Sequence, residues 1–454
     1  MNKKKASQIL TVLLVSAMGP YVFPQLGIRT EHFVMYGLVI FFSLKSGLGF
    51  LVGKDKHVFM IVVLFLSLLL WFIITTFLFG SNPSINKVLA DIDNYTQSIW
   101  LILITSYCVR NLKTDESINV LINAIKTIVV LLGINTVISI SSIFYGPWFL
   151  QYFNVAGEGQ VGGDVFETVL EGAATQGRFT GIFNQPFEAG VAYGVCLISI
   201  IFLLILGDKL SFRLIRPAFL KMGFVSTVVG GVLSVSKVFF PLSVFISFIF
   251  FVVASKGFSK MLFSKMFLRS LFSSLIILFV VSYFLLDQWS GLDYFLRLIN
   301  LGKDYSQDAD LLELFTAGRF ATSSGGTSVV TDHLNDPNLI FGYGLGSIQT
   351  PDSGYLEVLY FGGVFGILIY LSILCAIFYF SIKGLFYQPA LAKYLASMLV
   401  FIVFSSLGAP IFGINRSNFF VLIPLTIGVH VLALSGSSRN ISRNKTLIVQ
   451  SELS

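Results

Sequence analysis

Long apolar runs recur along almost the whole chain, separated by short polar links. A run of about 20 residues is what a helix needs to cross ~30 Å of hydrocarbon at ~1.5 Å per residue. The spacing predicts helices near 7–24, 32–52, 58–79, 96–109, 118–145, 187–206, 222–235, 238–255, 271–287, 354–380, 390–409 and 419–435. The expected fold class is an all-α polytopic membrane protein of about 12 transmembrane helices. Hydrophobic residues make up 55% of the 454 and charged residues only 12%. Mean hydropathy is +0.84. A soluble chain of this length needs more charge to cover its surface, so lipid takes that place.

Charge sets the topology. With a cytoplasmic N-terminus and alternating sides, the cytoplasmic links collect about 20 Lys and Arg and the outer links about 8, the asymmetry expected of a multi-pass protein. Helices seven and eight share a turn at SVSK (234–237). Reading them as one long kinked helix instead would put the basic stretch 256–269 outside, against that rule. Both termini are therefore expected in the cytoplasm. The N-terminal run resembles a signal peptide, but the many spans that follow make it an uncleaved first helix.

Residues 1–435 are expected to form one integral membrane domain. Its outer loops are 146–186 and a large one, 288–353, between helices nine and ten; 436–454 would be a disordered, polar cytoplasmic tail. The large loop carries an amphipathic helical pattern over 306–320 and a glycine-rich FGYGLGS over 341–347. Structured loops of this length usually carry function.

Several chemistries lack their residues. No G-x-x-x-x-G-K-[ST] motif is present, so nucleotide-driven work has no support. The net charge of +7 is spread between spans rather than gathered for nucleic acid. His32, His57, His333 and His430 have no metal-ligand spacing, so neither a metal nor another cofactor is expected. Cys108, Cys196 and Cys375 lie in predicted spans, which argues against a disulfide framework. Charge within the spans is sparse, Lys45 and Lys126 being the clear cases, where an ion-coupled transporter needs more.

What remains is a polar set at the outer boundary. Arg178 precedes the sixth helix, Lys237 sits in the SVSK turn, Arg319 lies in the large loop and Asp352 heads the tenth helix. Cations on an otherwise acidic outer face suit a lipid-anchored phosphate or pyrophosphate. Each also has a plainer reading. Arg178, Lys237 and Arg416 are alternatively boundary anchors, and Arg319 a partner of acidic residues in its own loop. Asp352, Glu188 and Glu357 are alternatively helix caps, and His333 a surface loop residue.

The motifs Gly177-Arg178-Phe179-Thr180-Gly181-Ile182-Phe183-Asn184-Gln185-Pro186, Ser236-Lys237, Gly318-Arg319, Phe341–Gly346 and Asp352-Ser353-Gly354-Tyr355-Leu356, with Gly362-Gly363 beyond, occur in this order. In order and topological placement the chain resembles the O-antigen polymerase (Wzy-type) family and the related O-antigen ligases. Lys237 stands where the family has arginine, leaving a point charge rather than a bidentate grip. Asp352 stands where the ligase branch carries histidine, which favours polymerase. The resemblance implies a metal-independent glycosyltransferase of polysaccharide or lipopolysaccharide biosynthesis in the bacterial cytoplasmic (inner) membrane, facing the periplasm. It would move a growing glycan from undecaprenyl pyrophosphate to the next lipid-linked repeat. The expected catalytic residues are Asp352 as base and Arg178 and Arg319 as cations. Lys237, Arg416, Glu188, His333 and Tyr355 are expected to bind substrate. Expected partners are the lipid-linked donor and acceptor, membrane lipid and a chain-length regulator, with no nucleic acid. A ligase, or a flippase for lipid-linked oligosaccharide, is the alternative.

Overall fold

A computed structural model describes residues 1–23, 28–50, 56–80, 84–146, 156–161, 164–175, 177–207, 216–236, 238–254, 338–346, 353–408, 410–413 and 415–452. The chain starts with α1 (Lys3–Ser16), whose first turn is capped by the Asn2 side chain accepting from Lys5 N–H. A small antiparallel pair, β1 (Tyr21–Phe23) and β2 (Ile28–Arg29), leads into α2 (Thr30–Ser46). Next come α3 (Lys56–Phe79), α4 (Ile85–Val109) and α5 (Thr114–Tyr145). A hairpin of β3 (Ala156–Val161) and β4 (Asp164–Thr168) and a short α6 (Val169–Thr175) lie within the expected outer loop 146–186. The Gly162-Gly163 pair between the strands is the sequence signal for that hairpin.

The second half holds α7 (Pro186–Gly207), α8 (Pro217–Leu233), and α9 (Val244–Ala254), which is entered through a π-helical turn at Val238–Ser243. After one turn of helix, α10 (Asn338–Phe341), come α11 (Gly354–Gly384), α12 (Pro389–Ser405), a 3-10 turn at Ile411–Gly413, and α13 (Asn415–Glu452). Among the described residues, α3, α5, α7, α11 and α13 are long and apolar enough to cross a membrane, and α8, α9 and α12 are shorter apolar helices. This is a multi-pass helical membrane protein. The expected spans at 271–287 and the helical pattern at 306–320 lie outside the described residues.

Two helices form the centre. Of the most apolar stretch of α7, 89% is buried, and of α13, 83%, against 44% for α3 and α5. A helix apolar on every face must be surrounded, and α7 is packed by α5, α8, α9, α12 and α13. The outer helices turn Phe33, Phe41, Leu44, Phe77, Leu78 and Phe365 outward, as lipid-facing surfaces do.

α8 and α9 are two separate helices. Gly223 of α8 packs near Ile200 of α7, while Phe202 of α7 stacks on Tyr394 and Phe250 of α9 meets the same ring at a tilt. Both helices thus run alongside the same depth of α7, and the chain reverses at 234–236, where Val235 has φ +46°. A single kinked helix cannot do this.

Two expectations need correction. The segment after Leu434 is not irregular: α13 continues to Glu452, and no proline follows Pro424 to stop it. The charge in the bundle also differs from that expected. Lys45 is exposed and Lys126 only half-buried, whereas Arg29, Glu31, Glu188, Glu357 and Arg416 are buried near helix starts.

Connections alternate between two ends. One end brings together Arg110 and Gly49, Lys393 and Val253, and His57 and Phe380. The opposite end gathers the described residues of the links 17–23, 28–29, 177–185, 234–236, 341–346, 406–408 and 410–413, and carries the candidate site.

Candidate functional site

The turn holding Arg178 has no helix or strand of its own, so neighbours must satisfy its backbone. Gly177 N–H donates to Ala174 O and Arg178 N–H to Ala173 O, both at 2.9 Å, while Phe179 N–H donates to Leu233 O of α8, also at 2.9 Å. Asn135 of α5 clasps the middle: its Nδ2 donates to Thr180 O at 3.1 Å and its Oδ1 accepts from Ile182 N–H at 2.9 Å. Gly181 allows this grip. Its φ is +67°, and a Cβ there would lie 2.1 Å from Asn135 Oδ1. Pro186 then begins α7 at the position where a missing N–H costs nothing. Ser236 packs on Gly190, within the second turn of α7. The Gly177–Pro186 and Ser236 motifs are therefore neighbours; Lys237 itself lies outside the described residues.

Glu188 and Arg416 meet at the next layer. Glu188 Oε2 accepts from Asn184 N–H at 3.1 Å and Oε1 from Arg416 N–H at 3.0 Å. Glu188 thus does what a helix-start acid does, and also ties α7 to α13. The Arg416 guanidinium is fully buried and donates to Ile182 O and, at 3.1 Å, to Gly19 O. Glu31 Oε1 lies 2.8 Å from Arg29 Nε and 4.0 Å from Arg416 Nε. Both guanidinium groups sit over the Tyr21 ring, at 5.7 and 5.4 Å. The Tyr21 hydroxyl accepts from Asn184 Nδ2 at 2.8 Å, which closes the ring of contacts.

The ring continues into α4. Arg29 N–H donates to His32 Nδ1 at 2.9 Å, and His32 Nε2 lies 3.2 Å from Asp93 Oδ2 and 2.8 Å from Gln97 Nε2. Gln97 Nε2 donates to Asp93 at 2.7 Å and Tyr36 donates its hydroxyl proton to the same carboxylate. Asp93 precedes the apolar part of α4. Burial pushes its carboxyl up, but the hydrogen bonds from His32 and Tyr36 outweigh burial and hold it below the usual carboxylate range.

The glycine-rich segment docks on a break in α11. Gly363 has φ +60° inside the helix, which frees carbonyls from the ladder. Phe361 O accepts from Thr75 Oγ1 at 2.7 Å and from Gly344 N–H at 3.1 Å, and Gly362 O accepts from Trp71 Nε1 at 2.7 Å. A broken helix at membrane depth is tolerated when neighbours supply such donors. Leu345 N–H donates to Thr76 Oγ1 and Gly346 N–H to Asp91 Oδ2, at 2.7 and 2.9 Å. Below this, Glu357 is buried and accepts from the Tyr95 hydroxyl at 2.8 Å.

Of the expected site residues, Arg178, Glu188, Arg416 and Tyr355 fall within the described residues; Asp352, Arg319, Lys237 and His333 fall outside them. Tyr355 donates to Val403 O at 2.8 Å and meets Tyr370 edge-on, a packing contact between α11 and α12. Arg178 is half-buried. Among the described residues no cluster of three His, Cys, Asp or Glu is placed to hold a metal. Sequence reasoning passed over Arg29, Glu31, Asp91, Asp93, Tyr95 and, except as a cap, Glu357. The one signal for the first pair was an arginine and an acid flanking a helix start on the sparsely basic side.

The fold and this boundary network define a multi-pass helical membrane protein with buried charge gathered at one end. Compared with known proteins, the chain matches no family model and no curated sequence.

Proposed function

We propose that the chain is a polymerase of lipid-linked saccharide repeats, a metal-independent glycosyltransferase on the outer face of a bacterial cytoplasmic membrane. The proposed arrangement has about 12 crossings and both termini in the cytoplasm. One observation carries the reading: the Arg178 turn, the Ser236 turn, the glycine-rich 341–346 and the head of α11 all lie at the end of the bundle opposite Arg110 and Lys393. The positive-inside bias puts that end outside, where a lipid-linked donor is met.

On this reading the donor already carries its leaving group. Pyrophosphate departs without needing a proton, so the protein must supply cations for the developing charge and a base for the acceptor hydroxyl. Arg178 and Arg319 take the first role, with Lys237 as a further cation. Asp352, five residues before the buried Glu357, takes the second. The acceptor oxygen attacks the anomeric carbon, its proton passes to the carboxylate, and the anomeric carbon–oxygen bond to the lipid pyrophosphate breaks.

A translocator of lipid-linked saccharide is the second reading, favoured by the break at Gly363 above a buried carboxyl. Purified protein given one lipid-linked repeat separates the two. A polymerase yields a ladder of products. A single transfer to an added core acceptor means a ligase, and movement of unaltered substrate across vesicles means a translocator.

A further inference from the structure

We infer that Arg29, Glu31 and Tyr21 are positioning residues, which set the place of the Arg178 turn, Arg29 and Glu31 through Arg416 and Tyr21 through Asn184. The inference rests on the reading of Arg178 as a donor-phosphate cation. Residues 177–185 are fixed on one side by backbone bonds to α6 and α8, and in the middle by Asn135. The other side depends on the ring: Arg416 holds Ile182 O, Glu188 holds Asn184 N–H, and Tyr21 holds the Asn184 amide. Arg416 is in turn placed by Glu31, and Glu31 by Arg29.

Charge and burial say what the ring is for. Arg29, Glu31, Glu188 and Arg416 are 1%, 0%, 4% and 0% exposed. Two cations face two carboxylates, so the ring is balanced and has no spare charge for an anion. Buried ion pairs add little net stability over apolar packing of the same volume, but they are demanding in geometry. Here that geometry joins residues remote in sequence: Gly19, Tyr21, Arg29 and Glu31, then 182–188, then Arg416. Small displacements of a reacting geometry have large rate effects, so a ring that fixes the Ile182 backbone bears on Arg178, four residues before it.

The experiment uses the full-length protein in nanodiscs, with Cys108, Cys196 and Cys375 replaced by serine. Ile182→Cys provides a buried reporter in the turn, because only the backbone of Ile182 enters the ring. Two ring variants are compared, Glu31→Gln and the milder Tyr21→Phe, which removes only the hydroxyl that Asn184 binds. Three quantities are read: monodispersity, the rate of thiol labelling at residue 182, and kcat and KM for transfer from the lipid-linked repeat. The expected result is folded protein, labelling faster by roughly tenfold, and kcat lower by roughly tenfold or more with a smaller change in KM. If Glu31→Gln does not fold, Tyr21→Phe decides alone. Unchanged labelling with unchanged kcat overturns the inference. So does lost transfer with unchanged labelling, because the ring residues then touch substrate instead. Arg178→Ala separates the two levels: full transfer in that variant sinks the functional reading, while faster labelling in the ring variants still establishes the clamp.

Discussion

The guanidinium of Arg416 donates to the backbone carbonyl of Ile182, 234 residues earlier in the chain. This contact joins the head of a central membrane helix to the turn that carries Arg178, and Glu188 doubles it by accepting from Arg416 N–H. Replacing Arg416 leaves the buried Glu31 and Glu188 carboxylates with Arg29 as the remaining cation of the ring, and takes the donor from the Ile182 and Gly19 carbonyls. Arg416→Met should therefore cost about 3–5 kcal/mol, read as a large drop in the thermal midpoint by size exclusion in detergent. A midpoint within a degree or two of the parent would show that the ring contributes no stability.

The Asp93 carboxyl sits below its usual range in the folded protein, held there by His32 and Tyr36 against the opposing effect of burial. A carboxyl depressed on folding adds stability above its unfolded value of about 3.9. That stability is lost as pH falls through the folded value. The difference in thermal midpoint between the parent and Asp93→Asn should be largest near neutral pH and shrink below about pH 4. A gap that widens in acid contradicts the assignment.

Gly363 takes φ +60°, and a Cβ there would lie 2.3 Å from Ile340 O. Gly363→Ala should unseat the glycine-rich segment and lower stability by about 1–3 kcal/mol. Trp71→Phe keeps the ring but loses the bond to Gly362 O, and should cost about 0.5–1.5 kcal/mol. A larger loss for Trp71→Phe than for Gly363→Ala would reverse the proposed order of importance.

The two ends of the bundle are expected on opposite sides of the membrane. Gln185 is exposed at the site end and Lys113 lies at the other. An impermeant thiol reagent should label Gln185→Cys in intact cells and Lys113→Cys only after the membrane is opened. The reverse pattern would invert the topology.

Most helices were legible because apolar runs of membrane length have few other uses. The start of α4 was not: the helix begins at Ile85, ahead of the expected 96, because Asp91 and Asp93 find partners in Gly346 and His32. Hydropathy cannot report a polar helix face that other segments cover. The site was legible in part. Motif order brought Arg178 and Ser236 forward, and they are neighbours through Leu233 and Gly190. The ring of Arg29, Glu31, Glu188 and Arg416 was hidden because its members come from three distant helix starts, and each alone reads as a boundary anchor or a cap. Lys45 and Lys126 attracted notice instead, since position within a run reveals a charge but not which way its side chain turns.

Arg178 in the product ladder tests the central claim most directly. Purified parent, Arg178→Ala and Arg178→Lys are given the same lipid-linked repeat at matched protein levels. A charge-assisted contact is worth about 1.5–3 kcal/mol, so the alanine variant should elongate roughly 10- to 100-fold more slowly. Lysine, which keeps the charge and loses the fork, should recover part of the rate. Ladders of normal length and rate from Arg178→Ala would contradict the account.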